Sequence, residues 1–501
     1  MRELRILRTE LEAAVQAGDE QLVNRLMDLL EKQAKRCVAL EKRCAEYEKR
    51  NQDLEQRIAE LEGRDPPADD PSEPSASYSL SAEEKRRRRK ELANKTKKKS
   101  RKRGRKPKLE KQATVVRWEE IVPEGATRAE CQLQSERIVW RIENGRALRV
   151  GYKIYRLAWQ PTPRIPGVLP RCEYGVEVSV LLGYLVYITN VSIQKACDLL
   201  GFFCELPLSA SQADVMLTRL GKEWNDDFET ICDQLATAAV VYSDETGWPV
   251  GRLNHSLWSF TSDLRCVMLF GCRKDRKTLE TILPPDTFTG CLVSDDASVY
   301  QRGYRSQKCW AHLIRKAIKL AILHPGNETY QQFLNQLLEL FHDSKSIASD
   351  QQLGAREREK HVCQLEARLC DFCHPHWPTI TSSLGEAKDE SEQKFRNLVS
   401  ELLRLMVDKQ LFEFVLSPEV DPTNNLSERQ LRSAALARKA ARTNKTDTGS
   451  HRQTRIVSVL ESLRRCMVTF TIQSVLDQVA DSMKHATGIF SKPRPPELSM
   501  G

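Results

Sequence analysis

The chain has no apolar stretch of the roughly 18 residues that a membrane-spanning helix needs, so no span is expected. Its opening residues, MRELRILRTELEAA, are charged throughout and lack the apolar core of a secretory leader. That predicts an intracellular protein. A Walker loop, a G-x-S-x-G elbow and a G-x-G-x-x-G fingerprint are all missing, so neither ATP nor a nucleotide cofactor is expected. The 15 cysteines are odd in number and irregularly spaced from Cys37 to Cys466. That spacing excludes a disulfide framework and predicts mostly reduced, buried thiols. Proline is absent from the first 62 residues, which leaves a long helix open to them.

What the sequence has is enough for a packed core and a strong local charge. Hydrophobic residues make up 40% and charged residues 29% of 501, which suits a soluble chain of about three domains. Between Lys85 and Lys111 stand 17 Lys and Arg against 2 Glu, a charge of +15, so of the net +9 the remainder carries −6. The basicity is therefore local. It predicts either a solvated tail or a segment that meets a polyanion.

Residues 1–62 read as helix with a heptad. Leu26, Gln33, Leu40, Tyr47, Leu54 and Leu61 fall at position d, and Val23, Leu30, Cys37, Cys44, Asn51 and Ile58 at position a. Arg36, Arg43, Arg50 and Arg57 fall at g, each five residues before Glu41, Glu48, Glu55 or Glu62 at e. That is the spacing of charge pairs between two parallel chains, and Asn51 at an a position favours a two-stranded register. A parallel homodimer through residues 22–62 is expected. The segment 63–84, rich in Pro, Asp and Ser, reads as a disordered linker. The basic segment 85–111 follows. Within it RKRGRKPK is similar to a minor-groove hook, with Arg103, Arg105 and Lys106 as DNA-binding candidates, although Lys106 interrupts the hook's Arg–Pro step. General phosphate binding is the broader expectation.

Residues 112–230 divide into a small β-rich part up to about 170 and a helical part with a helix-turn-helix-like look. In the latter Ser192 and Ser209 or Ser211 are N-cap candidates and Gly201 a C-cap. From 237 the pattern turns α/β. ATAAVVYSDETGW, HSLWSFTS, RCVMLFGC and GCLVSDD read as strands and WAHLIRKAIKLAIL as a helix. Residues 327–415 are largely helical, and a last helical stretch starts near Asn424.

Two carboxylates stand at comparable places. Asp244 ends the apolar run ATAAVVYS and Asp295 ends GCLVS, where acidic side chains face the ligand side of an open α/β sheet. Two such aspartates and a third carboxylate from a helix suit Mg²⁺, a hard cation that prefers carboxylate and phosphate oxygens. Glu428, in PTNNLSERQLRSAALARKAAR, is one candidate for the third. A plain reading makes it the capping-box partner of an N-cap Asn425. The same segment carries Arg429, Arg432, Arg438, Lys439, Arg442 and Lys445, with Glu428, Arg432, Lys439 and Arg442 broadly on one helical face. A carboxylate leading a basic face is what metal beside DNA phosphate requires. Glu245, next to Asp244, is expected on the opposite side of the strand.

SDETGW around Asp244, SDDASVY around Asp295, CWAHLIRK at 309–316 and NNLSERQLR around Glu428 occur in that order. With the heptad helix and basic segment before them, they make most of the chain resemble the DDE transposases of the insertion-sequence-sixty-six family. The resemblance implies a ribonuclease-H-like α/β catalytic domain at 231–326 and 416–485, a helical insertion at 327–415 and a tail at 486–501. It implies that Asp244, Asp295 and Glu428 are catalytic and hold Mg²⁺ or Mn²⁺ as two ions. It also makes Cys309, His312, Arg315 and Asn425 neighbours of the active site, Cys309 and His312 in a structural more than a metal-binding role. Arg429, Arg432, Lys439 and Arg442 join the basic segment as DNA contacts. Relatives carry Gly–Tyr after the second Asp where this chain has Asp296, and the spacing to Tyr300 selects Asp295.

The implied activity is metal-dependent cleavage at element ends and transfer of the freed 3′-hydroxyl into target double-stranded DNA. The alternatives are a metal-dependent nuclease without strand transfer and a dimeric DNA-binding regulator derived from a transposase. Other element-encoded proteins are possible partners, and the expected location is the cytoplasm, with the nucleoid. Zinc is not expected. Relatives carry a cysteine-paired zinc module before the helix-turn-helix, but between 112 and 190 only Cys131 and Cys172 occur, too few for a four-ligand site. Further on, His361, Cys363, Cys370, Cys373, His374 and His376 have zinc-ligand types but lack a second pair at the usual spacing.

Overall fold

A computed structural model describes residues 114–301, 303–377, 387, 389–440, 442–485 and 487–491. All of them belong to the unit Arg105–Gly501. The heptad helix, the linker, the basic segment with Arg103, Arg105 and Lys106, and most of the tail lie outside the described residues.

The β-rich part is a three-stranded sheet in the order β1-β3-β2, from β1 (Val115–Ile121), β2 (Gln132–Glu143) and β3 (Arg146–Arg156). β2 and β3 form a hairpin whose turn, Asn144–Gly145, takes φ of 51° and 76°. Positive φ at both central residues gives the turn a twist that matches its strands. Cys131 and Cys172, the two cysteines of this region, are both buried thiols.

Helices follow: α1 (Val176–Gly183, continued by a π turn Tyr184–Ile188), α2 (Ile193–Cys204), α3 (Ala210–Glu223) and α4 (Asn225–Ala236). Ser192 caps α2, its side chain accepting from the Lys195 N–H. Ser209 caps α3 in a capping box with Gln212. Gly201 does not end α2; the helix runs three residues further and stops at Glu205, which takes the left-handed conformation at φ 55°.

The second sheet has the order β6-β5-β4-β7-β8, with β4 (Val240–Gly247), β5 (Ser256–Thr261), β6 (Cys266–Cys272), β7 (Cys291–Ser294) and β8 (Arg305–Lys308). β4, β5 and β6 pair antiparallel; β4, β7 and β8 pair parallel. Both faces are buried, as the strands' unbroken apolar runs require. Val241, Trp258, Phe260, Val267, Leu269 and Leu292 pack with α1, α3 and α4. Their alternates, Tyr242, Cys291 and Val293, pack with α6 (Trp310–Leu323), and Leu257, Met268 and Phe270 with α11 (Asn425–Lys439). The result is a sheet between two helical layers, a mixed α/β architecture.

Between those two helices the chain makes a helical insertion: α7 (Glu328–Ser349), α8 (Ala355–Cys373), α9 (Glu390–Val407) and α10 (Glu413–Leu416). Its Leu, Phe and Val core is continuous with Trp310 and Leu313 of α6. α5 (Arg276–Ile282) precedes β7, and α12 (Asp447–Cys466) and α13 (Ile472–His485) follow α11. Ile489 and Phe490, in the stretch read as tail, are buried in the main core.

Candidate active site

The parallel pairing of β4 and β7 aligns Val240 to Tyr242 with Cys291 to Val293 and then stops. Asp244 and Asp295 each lie two residues past the last aligned pair. A period of two puts both on the Tyr242/Val293 face, the one covered by α6 and α11. Asp244 does not end its strand: β4 continues antiparallel to β5 through Gly247, and Asp244 sits opposite Ser259. The apolar run ends there because the strand crosses from a parallel neighbour to an open site.

Glu428 reaches this face from the first turn of α11. The helix begins one residue earlier than an Asn425 cap implies. Asn424 is the N-cap and makes no side-chain cap bond; its buried amide instead donates to the Ser243 carbonyl at 2.7 Å. Asn425 is exposed, so Asn424 is the asparagine that ties α11 to β4. Glu428 is therefore free of capping duty. Its carboxylate accepts from Arg315 at 3.1 Å and lies 3.8 Å from His312 Nδ1, both on α6.

The start of α6 is stitched to the start of α11. The Trp310 N–H donates to the Pro422 carbonyl at 3.0 Å, and the Asn424 N–H donates to Cys309 Sγ at 3.2 Å. Cys309 is buried, and burial pushes its thiol up. His312 is pushed down by burial and by Arg315, toward the neutral imidazole.

Charge at the centre is only partly compensated, by Arg315 on Glu428 and Lys274 on Glu245. Burial, then the carboxylates of Glu245 and Asp295, push Asp244 up to about 7; Glu428 adds to this and the Glu245 N–H opposes it. Such a cluster calls for a proton or a cation. Glu245 has its own partners. Tyr300 donates to it at 2.5 Å and Lys274 pairs with it, while Tyr300 also meets Ser243 at 3.4 Å. Ser243 and Glu245 thus share the face opposite Asp244, as strand alternation predicts.

Asp295 and Asp296 separate by their neighbours. Asp296 pairs with Arg404 of α9. Asp295 turns its Oδ1 to the Ala297 N–H at 3.0 Å, which shapes the loop after β7. Lys308, 1% exposed at the end of β8, holds that loop. Its ammonium donates to Ser294 Oγ at 3.0 Å and to the carbonyls of Asp295 at 3.1 Å and Tyr300 at 3.4 Å. Burial pulls it down to about 8, against the pull of Asp296 and Asp295. Nothing in RSQKCW marks Lys308 beforehand; only the β7–β8 register puts it beside Ser294.

The basic side chains divide as well. Arg429, Arg432, Lys439 and Arg442 are exposed. Arg442 lies past the end of α11, so it does not share a helical face with Glu428. Arg438 faces inward and donates to Thr246 Oγ1 at 3.0 Å. Cys363, Cys370 and Cys373 sit on α8, Cys373 buried in the insertion core and Cys370 against Met406 Sδ at 3.7 Å. The one group among the described residues whose ligand atoms converge is Cys309, His312 and Glu428. No helix among the described residues is long and apolar enough to cross a membrane.

Compared with known proteins, residues 173–452 match a family model described as Transposase IS66 family. No curated protein matches the chain.

Proposed function

The chain belongs to the IS66 family of transposases, and from that premise we propose that it cuts DNA at element ends and joins the freed ends to target DNA, with Asp244, Asp295 and Glu428 as the catalytic carboxylates. The observation that carries this reading is that Asp244, Asp295 and Glu428 lie on one face of the sheet, where burial first, then the carboxylates of Glu245 and Asp295 and to a smaller extent that of Glu428, push Asp244 up to about 7. The order β6-β5-β4-β7-β8, three strands antiparallel and three parallel through the shared β4, supports a ribonuclease-H-like catalytic fold.

An all-oxygen donor set with excess negative charge fits hard divalent cations, Mg²⁺ or Mn²⁺. Asp244, Asp295 and Glu428 would hold them; when bound, two such ions neutralise charge on the attacking and leaving oxygens of an in-line displacement. The rest falls to the protein. Glu428, which accepts from Arg315 at 3.1 Å, is the carboxylate that would turn toward Asp244 and Asp295. Lys308 and Arg404 keep the loop carrying Asp295 in place. A water oxygen bonds to the scissile phosphorus and gives up a proton to solvent or a carboxylate; the bond from phosphorus to the element's 3′-oxygen breaks, and that oxygen takes up a proton from solvent. That 3′-hydroxyl then attacks a target phosphorus, and the target's 3′-oxygen leaves.

The exposed Arg429, Arg432, Lys439 and Arg442, with the basic segment 85–111, supply phosphate contacts. The heptad over 22–62 joins two chains in parallel. The test is cleavage and joining of labelled DNA carrying the element's ends, in Mg²⁺, by the wild type and by Asp244→Asn and Glu428→Gln. Joined products from the wild type, with both variants inactive but still binding DNA, support the reading. Cut but unjoined products point to a nuclease. Full activity in either variant removes that residue from the centre.

A further inference from the structure

Cys309 Sγ, a ring nitrogen of His312 and a carboxylate oxygen of Glu428 lie within 4.8 Å of one another. We propose that these three residues form a site for a soft divalent ion of the zinc class, distinct in donor chemistry from the all-oxygen centre beside it. The spacing favours it. Cys309 and His312 are three residues apart at the start of α6, so one helical turn sets them on the same side. Tetrahedral zinc with one sulfur, one nitrogen and one oxygen ligand keeps its ligand atoms roughly 3.5 Å apart, so the three need to close by about an ångström.

A second observation points the same way. His312 Nδ1 is buried and makes no hydrogen bond, an arrangement that normally costs stability. It faces Glu428 Oε1 at 3.8 Å. An ion between them would satisfy it. Cys309 Sγ already accepts the Asn424 N–H at 3.2 Å, a contact that supports a thiolate ligand. The cation now paired with Glu428, Arg315, is 55% exposed along its side chain and can swing to solvent. A thiolate and a carboxylate balance a 2+ charge, and Mg²⁺ would reject the sulfur and nitrogen donors. Three protein ligands leave the fourth position open to water or a DNA phosphate.

The consequence rests on Glu428 being the third carboxylate of the Mg²⁺ centre. An ion held by Cys309 and His312 takes Glu428 with it, so zinc inhibits cleavage. Whether the ion binds does not depend on that reading.

The test uses full-length reduced protein titrated with Co²⁺, as a zinc analogue, in excess Mg²⁺. The readout is the thiolate-to-cobalt charge-transfer band. The expected result is one site per chain whose band disappears in Cys309→Ser and in competition with Zn²⁺, and whose affinity falls at least about tenfold in His312→Gln. No band, or a band unchanged in Cys309→Ser, overturns the proposal. If Cys309→Ser proves unfolded by circular dichroism, an unchanged affinity in His312→Gln overturns it instead. Mg²⁺-dependent cleavage at the same Zn²⁺ concentration then reads the consequence: inhibition supports it, and unimpaired cleavage with the site filled overturns the capture of Glu428. If Asp244→Asn cleaves normally, the function reading fails while the cobalt result stands.

Discussion

At the scale of single residues, burial decides which charges carry strain. Asp227, on α4, is 6% exposed and accepts the Ile489 N–H at 2.5 Å. Burial raises it from 3.8 to about 6. The folded carboxyl keeps its proton to higher pH than the unfolded one. Its contribution is therefore full below about pH 4 and is lost as pH rises through about 6. A shift of this size corresponds to at most roughly 3 kcal/mol. Asp227→Asn, which resembles the protonated form and still accepts from Ile489, should melt above the wild type at pH 7 and level with it near pH 4. Parallel melting curves across that range would show that Asp227 is not the source. Lys308 is the opposite case, a buried cation held by three oxygen acceptors. Lys308→Met keeps most of the volume but strands the carbonyls of Asp295 and Tyr300, at about 1–3 kcal/mol. Urea unfolding should show that loss, and cleavage should fall further than stability explains, because the loop of Asp295 is released.

At the scale of elements, the edge of the sheet shows how a helix replaces a strand. β6 has one strand partner, β5, so alternate N–H groups face outward. α12 lies along them and meets each with a hydroxyl. Thr454 accepts from Phe270, Ser458 from Met268 and Ser462 from Cys266, each at 3.0 Å. Four residues of helix rise about 6 Å, close to the two-residue step of a strand, so the match repeats three times. Covering the edge in this way also blocks pairing with another chain. Ser458→Ala leaves the Met268 N–H buried and unpaired, and denaturant unfolding should show a loss of about 1–3 kcal/mol. A loss below about 0.5 kcal/mol would mean that a water reaches the edge. The serines and threonine recur every four residues in GSHRQTRIVSVLESLRRC, but that spacing alone cannot say that a strand lies against them.

At the scale of the whole molecule, the helical insertion and the two segments it separates depend on one another. The Lys308 N–H donates to the Gln410 carbonyl at 2.7 Å and Trp310 Nε1 to the Leu411 carbonyl at 2.8 Å, so the last part of the insertion, between α9 and α10, is fixed along β8 and α6 before the chain enters α11. That path delivers Glu428. Trp310→Phe should lower cleavage more than DNA binding, since it loosens this return and leaves the basic residues in place; equal losses in both would argue for general unfolding. Assembly is read at the same scale from the heptad. Leu40→Asp with Leu54→Asp places charge at two d positions and should convert a dimer to a monomer in sedimentation of the full chain. A dimer that persists would place the interface elsewhere.

The sequence by itself determined the strands β4 to β7, the helix α6, the largely helical stretch after it and the Ser192 cap, because each follows from local periodicity or a local hydrogen bond. It also offered Asp244, Asp295 and Glu428, through four short motifs in order, as the candidates on which the proposed function rests. Only the tertiary structure decided which asparagine ties α11 to β4, that Arg442 falls beyond the helix, that Asp296 belongs to Arg404, and that Lys308 is buried behind Asp295. The place of Lys308 depends on strand register, and those of Asn424 and Asp296 on contacts between residues more than 100 positions apart, Asn424 with Ser243 and Asp296 with Arg404, which leave no local trace. The meeting of Cys309, His312 and Glu428 is of the same kind. The C-x₂-H spacing is visible along the chain, but the third ligand arrives only when the insertion folds and returns it.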